Sequence, residues 1–392
     1  MPVQSNFRTA QRWLMRLLVL IAMTSCGGVD SGGTGASAAY GPVDGLGSII
    51  VNGVRFDEST ASISDEDGQL VAHDRLQLGV MTSVEGSGIV SAANERRATA
   101  HRVRIFSELV GPIGVVDAPT QTIEVLAQTV RITPATVFGD GLPMGLASLQ
   151  VGMVVEVFAR LDSATRTYGA TRIEQRSGVM SYVLRGQIDT VNATARTFRV
   201  GALEVDFSQV MAADAANVVA GHTVRVRLAT SPATGVRRAL SVSSGQRSIA
   251  DGEEASIEGR ISAFESAQHF SIDGVPVDAT AASFPDGVSA IQLGARVSVE
   301  GSAKDGVVLA AVVRVEGDED SSNSTFEVHG TIEALDPVGK VLTVRGVSVD
   351  YSGKVEFDGG TIADLRIGKA IDVEGVLRPD GVGLIAREIS FK

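Results

Sequence analysis

Residues 294–301 read Gly-Ala-Arg-Val-Ser-Val-Glu-Gly. A glycine is followed by apolar residues three and five positions later. Such period-two alternation after a glycine is typical of a turn that leads into a half-buried strand. The pattern occurs five times, and we name its first residue the turn glycine. The five turn glycines are Gly79, Gly152, Gly221, Gly294 and Gly368.

A second recurring piece, Ala-x-x-Val or Ala-x-x-Ile, follows each turn glycine at a distance that suits the partner strand of a hairpin. Because both pieces recur in the same order, they indicate an internal repeat. The five instances are Ala100 to Val103, Ala170 to Ile173, Ala239 to Val242, Ala310 to Val313 and Ala386 to Ile389.

The front half of the unit repeats as well. Gly-x-Ile opens four copies, a second apolar alternation such as Phe270 to Ile272 follows, and a third strand ends on an apolar residue and an aspartate. The next segment, for example Thr361 to Ile367, has the spacing of one helical turn or a loop. Three strands, a short helix or loop and two strands is the order of an OB-like barrel.

The sequence therefore predicts an all-β protein, a tandem array of about five small OB-like β-barrel modules. A length of 392 residues suits several small cores better than one. We expect the modules to pack as beads in a row, with neighbours sharing apolar surface. The predicted modules are 41–107, 108–178, 179–248, 249–318 and 319–392.

Residues 47–57, Gly-Ser-Ile-Ile-Val-Asn-Gly-Val-Arg-Phe-Asp, together with the later Val-Glu-Gly pieces, resemble the bacterial DUF5666 family. The resemblance covers nearly all of the chain after its leader. It implies repeated OB-like domains in an exported protein, and it implies no activity.

The N-terminus has the features of a lipoprotein signal peptide, predicted for residues 1–25. Three arginines precede a short apolar run, which is too short to span a bilayer, and small residues lead to Cys26. The segment around Cys26 resembles the bacterial lipobox, which implies cleavage before this cysteine and its acylation. Residues 26–40 are predicted to be a Gly/Ser-rich tether. The expected location is the cell envelope, at the outer membrane. Gly27 follows the cysteine, and resemblance to the sorting rules of bacterial lipoproteins then implies the outer membrane.

Composition limits the partners. The formal charge is −12 and becomes about −15 without the leader, so the surface repels phosphate backbones and a nucleic-acid partner is not expected. Sugar or base stacking would need aromatic platforms, and few aromatic residues remain outside the leader. The tyrosines are Tyr40, Tyr168, Tyr182 and Tyr351.

Catalytic and metal-binding motifs are missing from the sequence. It has no His-Glu-x-x-His, no Gly-x-Ser-x-Gly, no phosphate loop and a single cysteine. We therefore predict no catalytic residue, no cofactor and no metal site, and acylated Cys26 is the one predicted modification site. The five histidines are scattered: His73, His101, His222, His269 and His329.

Carboxylates recur at fixed positions of the repeat and suggest either sugar chemistry, calcium binding or a structural role at strand ends. Catalysis seldom occurs once per repeat, so the structural role is favoured. Two acidic loops, residues 65–68 and 318–324, carry oxygen ligands that calcium prefers, without an EF-hand spacing. The recurring acids are Asp57, Asp206, Asp278, Asp350, Glu85, Glu300 and Glu374.

These observations favour a lipid-anchored envelope protein whose tandem modules form a binding or structural scaffold for a protein or polysaccharide partner. The alternative is an envelope hydrolase with a site assembled between modules, which would require clustered acids, histidines or serines in a cleft. Single-stranded nucleic-acid binding follows only from fold analogy, and the charge argues against it.

Overall fold

The computed structural model describes residues 36–92, 95–162, 165–231, 236–315 and 324–392. The predicted signal peptide and Cys26 lie outside these residues. The described strands form five groups, which we name barrels 1 to 5 in chain order. No helix in the described ranges is long and apolar enough to cross a membrane.

Barrel 1 has its first strand split in two, β1 and β2, and carries two additional short strands. Its strands are β1 (Ala36–Pro42), β2 (Gly45–Leu46), β3 (Ile49–Val51), β4 (Val54–Asp57), β5 (Ser62–Ser64), β6 (Met81–Ser87), β7 (Val90–Ala92) and β8 (Glu95–Phe106).

Barrels 2 and 3 follow with six strands each. They are β9 (Leu109–Asp117), β10 (Thr122–Val125), β11 (Gln128–Arg131), β12 (Val137–Phe138), β13 (Val154–Asp162), β14 (Thr167–Gln175), β15 (Tyr182–Gln187), β16 (Thr190–Asn192), β17 (Thr197–Val200), β18 (Leu203–Asp206), β19 (Thr223–Leu228) and β20 (Arg237–Ser244).

Barrels 4 and 5 complete the described chain. Their strands are β21 (Gly252–Ser266), β22 (His269–Ile272), β23 (Val275–Asp278), β24 (Arg296–Lys304), β25 (Val307–Val315), β26 (Thr325–Asp336), β27 (Val341–Val344), β28 (Val347–Asp350), β29 (Glu356–Asp358), β30 (Ala370–Leu377) and β31 (Leu384–Phe391).

Every barrel closes in the same way. In barrel 4, β21 pairs with β22, β22 with β23, β23 with β25 in parallel, β25 with β24, and β24 returns to β21. Barrel 2 closes through β9, β10, β11, β14 and β13 in the same order. This closed five-strand circuit with one parallel pair is the OB-like order, so the predicted fold class is confirmed.

One short helix lies between the third and fourth strands of each barrel, where the sequence predicted a helical turn or a loop. In barrel 5 it starts at a capping box formed by Thr361 and Asp364. The helices are 3-10 helices η1 (His73–Arg75), η2 (Gly145–Ser148), η3 (Val288–Ala290) and η4 (Ile362–Asp364), and α1 (Ala212–Ala215) in barrel 3.

The turn glycines have a common backbone conformation. All five have φ between 80° and 88°, a region that a side chain strains and glycine tolerates. The residues three and five positions after each turn glycine are buried; Val297 and Val299, for example, have no exposed surface. The repeated pattern therefore marks a left-handed turn followed by a core-facing strand.

The Val-Glu-Gly piece marks a β-bulge. In each barrel the register of the fourth and fifth strands shifts by a residue at this position. The residue after the shift faces the alanine of Ala-x-x-Val, as Gly301 faces Ala310. A Cβ on Gly301 would lie 2.1 Å from the Leu309 carbonyl oxygen, so the bulge brings main chain too close for a side chain there.

The barrels are joined by main-chain pairing between strands that are distant in sequence. Strand β1 pairs in parallel with β21 of barrel 4, and β2 pairs in parallel with β26 of barrel 5. Strand β9 pairs with β15 of barrel 3. Barrels 1, 4 and 5 share one apolar cluster, and barrels 2 and 3 share a second.

The predicted packing as beads in a row is therefore wrong. The first strand of barrel 1 keeps a free edge after pairing with β6, and this edge is satisfied by barrel 4 rather than by solvent. The tether predicted to extend to residue 40 is too long by five residues. Ala36–Tyr40 belong to β1, and Tyr40 is buried.

Gly79→Ala tests whether a turn glycine of barrel 1 also fixes the contact with barrel 2. Gly79 and Gly368 have φ values of 80° and 83°, so an alanine at either position costs about 1–2 kcal/mol through backbone strain. A Cβ on Gly79 would also lie 2.4 Å from the Thr171 carbonyl oxygen, whereas nothing lies within 4 Å of one on Gly368. We expect Gly79→Ala to lower the free energy of unfolding by at least about 1 kcal/mol more than Gly368→Ala.

Urea unfolding of the two variants beside the parent chain measures both losses. Equal losses would contradict the close approach of barrels 1 and 2 at this turn.

Candidate functional site

The middle of the assembly holds a group of buried charges, which we name the central cluster: Glu66, Glu108, Arg185 and Arg247. Glu66 follows β5 of barrel 1, Glu108 links barrels 1 and 2, Arg185 lies in β15 of barrel 3, and Arg247 links barrels 3 and 4. Four parts of the chain therefore meet through ionised side chains.

Ion pairs connect the members. Glu108 pairs with Arg247, with side chains only 1% and 3% exposed, and its second oxygen lies 3.7 Å from Nε of Arg185. Arg185 also pairs with Glu66. The main-chain N–H of Arg185 donates to the Glu108 carbonyl oxygen at 2.9 Å, which joins β15 to the link that carries Glu108.

Arg247 is held by aromatic and main-chain contacts as well. Its guanidinium lies 5.4 Å from the ring centre of Tyr40 and 5.1 Å from that of Phe106, and it donates to the Asp273 carbonyl oxygen at 3.1 Å. Burial alone would lower the pKa of Arg247, but the nearby groups, Glu108 first among them, together outweigh burial and the net pKa is raised. The guanidinium of Arg247 therefore stays charged and is the counter-ion of the Glu108 carboxylate.

The acidic loop at residues 65–68 docks barrel 1 on barrel 3. The Asp65 carboxylate accepts the N–H groups of Asp67 and Gln69 and so closes the turn. Asp67 pairs with Arg225 at 2.7 Å, and this arginine also lies 3.5 Å from Glu66. In this loop, Glu66 and Asp67 therefore contact arginines, and the Asp65 carboxylate contacts main-chain N–H groups. The second acidic loop lies outside the described residues except for Ser324.

Asp44 lines a cavity of about 40 Å³, which Arg160 and Arg296 also line. Burial, reinforced by the nearby Glu258 carboxylate, raises the pKa of Asp44 to about 7. This aspartate connects barrels through its main chain, because its carbonyl oxygen accepts the N–H of Glu327 at 3.0 Å.

The recurring aspartates have one shared role. Each caps the turn after the third strand by accepting the N–H of the serine or threonine two residues later. Hydrogen bonds from the hydroxyl and the N–H of that residue lower the pKa of Asp57, Asp278 and Asp350. The structural role favoured by the repeat argument agrees with this geometry. The bonds run from Ser59 to Asp57, Ser208 to Asp206, Thr280 to Asp278 and Ser352 to Asp350.

The recurring glutamates lie on solvent-facing strand positions. Glu85 pairs with Arg102, and Glu300 lies 3.1 Å from Arg96 and 3.6 Å from Arg314. Glu374 is paired in register with Glu327 of β26 and Glu388 of β31. These acids are spread over different barrels and do not converge.

Histidines and tyrosines were the other candidates. His329 contacts Asp372, His269 lies 3.9 Å from Asp278, and His73 lies 3.6 Å from Glu58. Within the described ranges no group of three or more His, Cys, Asp or Glu side chains is arranged to hold a metal ion. All four tyrosines are buried, so none of them offers an exposed stacking platform.

Barrels 2 and 5 enclose a cavity of about 890 Å³, which we name the 2–5 cavity. Its walls come from η2 and the strands of barrel 2 and from the hairpin between β30 and β31. At one end the walls touch, because the N–H of Phe138 donates to the Gly381 carbonyl oxygen at 2.9 Å. The volume lies within the roughly 300–1,000 Å³ typical of small-molecule sites, and sequence reasoning did not reveal it because its two walls are far apart in the chain.

One protein family model matches three segments of the chain. The family model DUF5666, described as a domain of unknown function, matches residues 110–174, 258–316 and 329–390. The chain carries three DUF5666 domains. They coincide with barrels 2, 4 and 5, whereas residues 47–57, whose sequence resembles the family, lie outside the matched segments.

Other comparisons add little. No curated protein matches the chain. A solved structure titled "drosophila Unr CSD456" matches at 15% identity with a TM-score of 0.15, covering 54% of this chain and 97% of that one. A TM-score this low carries no weight for fold or function.

Barrels 1 and 3 share the strand order of the DUF5666 domains, but the central cluster lies outside those domains. Glu66 and Glu108 fall before the matched segments, and Arg185 and Arg247 fall between the first and second of them. All five barrels come from the repeat. The charges that join them come from barrels 1 and 3 and from the links between barrels.

Glu108→Ala tests the central cluster. Removing this carboxylate leaves Arg247 and Arg185 buried beside each other with fewer counter-charges. We expect the free energy of unfolding to fall by about 3–5 kcal/mol. The matched control is Glu85→Ala, which breaks an ion pair whose arginine is 70% exposed and costs about 0–1 kcal/mol.

Denaturant unfolding followed by circular dichroism measures both changes in the free energy of unfolding. The role assigned to the cluster is wrong if Glu108→Ala costs no more than Glu85→Ala.

Proposed function

We propose that the protein is a lipid-anchored component of the cell envelope, and that its five barrels act as one rigid scaffold for a partner rather than as an enzyme. The observation that carries this proposal is the joining of barrels by main-chain pairing and buried ion pairs across the chain. A body built in this way holds its outer surfaces in fixed relative positions, which is what a scaffold requires.

The anchor is supported by the sequence around Cys26. This residue follows a basic and then apolar leader, and the first strand of the body begins at Ala36, so a short Gly-rich segment would connect lipid to barrel 1. Several acyl chains at about 0.8 kcal/mol per buried methylene would give stable attachment. The outer membrane is the proposed location, because Gly27 follows the cysteine.

A protein partner is favoured over a polysaccharide. In each of barrels 2 to 5, large apolar side chains are exposed at two corresponding positions, one at or beside the short helix and one near the turn glycine. The tyrosines that could stack on sugars are buried. In barrel 1 the equivalent Leu78 is buried, and its carbonyl oxygen accepts a bond from Arg172 of barrel 2. The exposed pairs are Met144 and Val151, Met211 and Val219, Val288 and Leu293, and Ile362 and Ile367.

Cys26→Ser tests the anchor on which the proposal depends. Since Cys26 is the only cysteine, this change removes the sole thiol that can carry a thioether-linked lipid. In cells fed an alkyne-tagged fatty acid, we expect the parent chain to be labelled and to sediment with membranes. The variant should lose the label and its membrane association, as measured by gel fluorescence of the two fractions.

Ser25→Ala is the matched control, because it keeps a small residue before the cysteine and should retain both label and sedimentation. Labelling that persists in Cys26→Ser, or a parent chain that carries no label, would overturn the proposal. In-cell cross-linking of the parent chain, compared with Cys26→Ser, then identifies proteins captured only when the body is anchored.

A further inference from the structure

The 2–5 cavity is lined mainly by aliphatic side chains. Val116, Ile132, Leu146 and Leu149 come from barrel 2, and Val376 and Leu377 come from β30 of barrel 5. Among the described residues that line the cavity, Phe138 is the one aromatic. Such walls complement a flexible alkyl chain better than a sugar or a base, which would need flat aromatic faces.

The cavity is also preformed. The Phe138–Gly381 hydrogen bond joins its two walls. A Cβ on Gly145 would lie 2.0 Å from the Asp380 carbonyl oxygen, and one on Gly381 would lie 2.5 Å from the Thr136 carbonyl oxygen. Main chain from barrel 2 and barrel 5 is therefore packed together at one end, so a ligand would meet fixed walls and would spend little of its binding free energy on ordering them.

The polar groups of the cavity include one cation. Arg378 lies on the hairpin of barrel 5, about one third exposed, and its Nη2 donates to Asp380 at 2.7 Å. An ion pair whose side chains are each about one third exposed is weak, so the guanidinium can also contact an anionic group at the opening. Met144, which is 63% exposed, also lines the cavity and supplies an adaptable apolar wall.

We propose that the 2–5 cavity binds a single long alkyl chain that ends in an anionic head group. The chain lies against the aliphatic walls and the head group contacts Arg378. Each further methylene removed from water raises the affinity roughly fourfold, so affinity rises with chain length. This inference rests on the proposed binding role, and it names the chemistry of one ligand. The shared chemistry could come from a free fatty acid or from a lysophospholipid.

The test uses the full chain carrying Cys26→Ser, so that the anchor's own acyl groups do not compete, and the probe 11-(dansylamino)undecanoic acid. We expect saturable binding with enhanced dansyl fluorescence. Ala147→Phe, in η2 at the cavity wall, should weaken binding at least tenfold by filling the space. Ala290→Phe, in the equivalent η3 of barrel 4, is the matched control and should leave binding unchanged.

Two competitor series distinguish the head group and its source. Arg378→Gln should weaken displacement by dodecanoic acid several-fold and leave displacement by dodecanol unchanged. Tighter displacement by lysophosphatidylglycerol than by dodecanoic acid would assign the site to a lysolipid, and the reverse would assign it to a fatty acid.

A diazirine analogue of palmitic acid provides a readout that does not depend on the stability of any variant. Cross-links on residues 132–149 and 376–385 are expected. The proposal is overturned if the cross-links fall elsewhere, or if Ala147→Phe and Ala290→Phe have the same effect on binding. Because this assay omits the anchor, its failure leaves the result of the Cys26 labelling experiment untouched.

Discussion

The pairing of Glu108 with Arg247 is the contact on which the arrangement of the barrels depends. Each partner is nearly inaccessible to water, so neither charge could be buried without the other. Arg185 and Glu66 extend the same group into barrels 3 and 1. A buried charge of this kind is a poor source of net stability but a strict condition on geometry, because any arrangement that separates the partners leaves an uncompensated charge.

Main-chain pairing and the charges act together. Strand β1 lies between β6 of its own barrel and β21 of barrel 4, so both of its edges are satisfied within the protein. Its side chains are small where it is enclosed, and Ala38 and Ala39 are almost fully buried. The central cluster then brings barrel 3 and the connecting segments to the same place. Five repeats that are nearly equivalent in sequence thereby take different positions in one body.

The barrels themselves were predictable from the sequence because their signals are local. A turn glycine such as Gly294 and the alternation after it fall within eight residues, and the bulge at Gly301 faces an alanine in the adjacent strand.

The assembly of the barrels was not predictable in the same way. Glu108 and Arg247 are 139 residues apart, and no periodicity connects them. Ala36 to Ala39 resemble a linker in composition, although their small size is what an enclosed strand needs. One signal was present: Arg185 follows two apolar residues within a strand, where a charge requires a buried partner.

Small-angle X-ray scattering of the full chain carrying Cys26→Ser reports whether the five barrels form one body. A compact chain of this length has a radius of gyration of about 20–25 Å, whereas five separate barrels of this size in a straight row would give about 40 Å. The structure predicts the smaller value, with a single compact distance distribution. A value near the larger one would contradict both the pairing of β1 with β21 and the central cluster as the junction of the barrels.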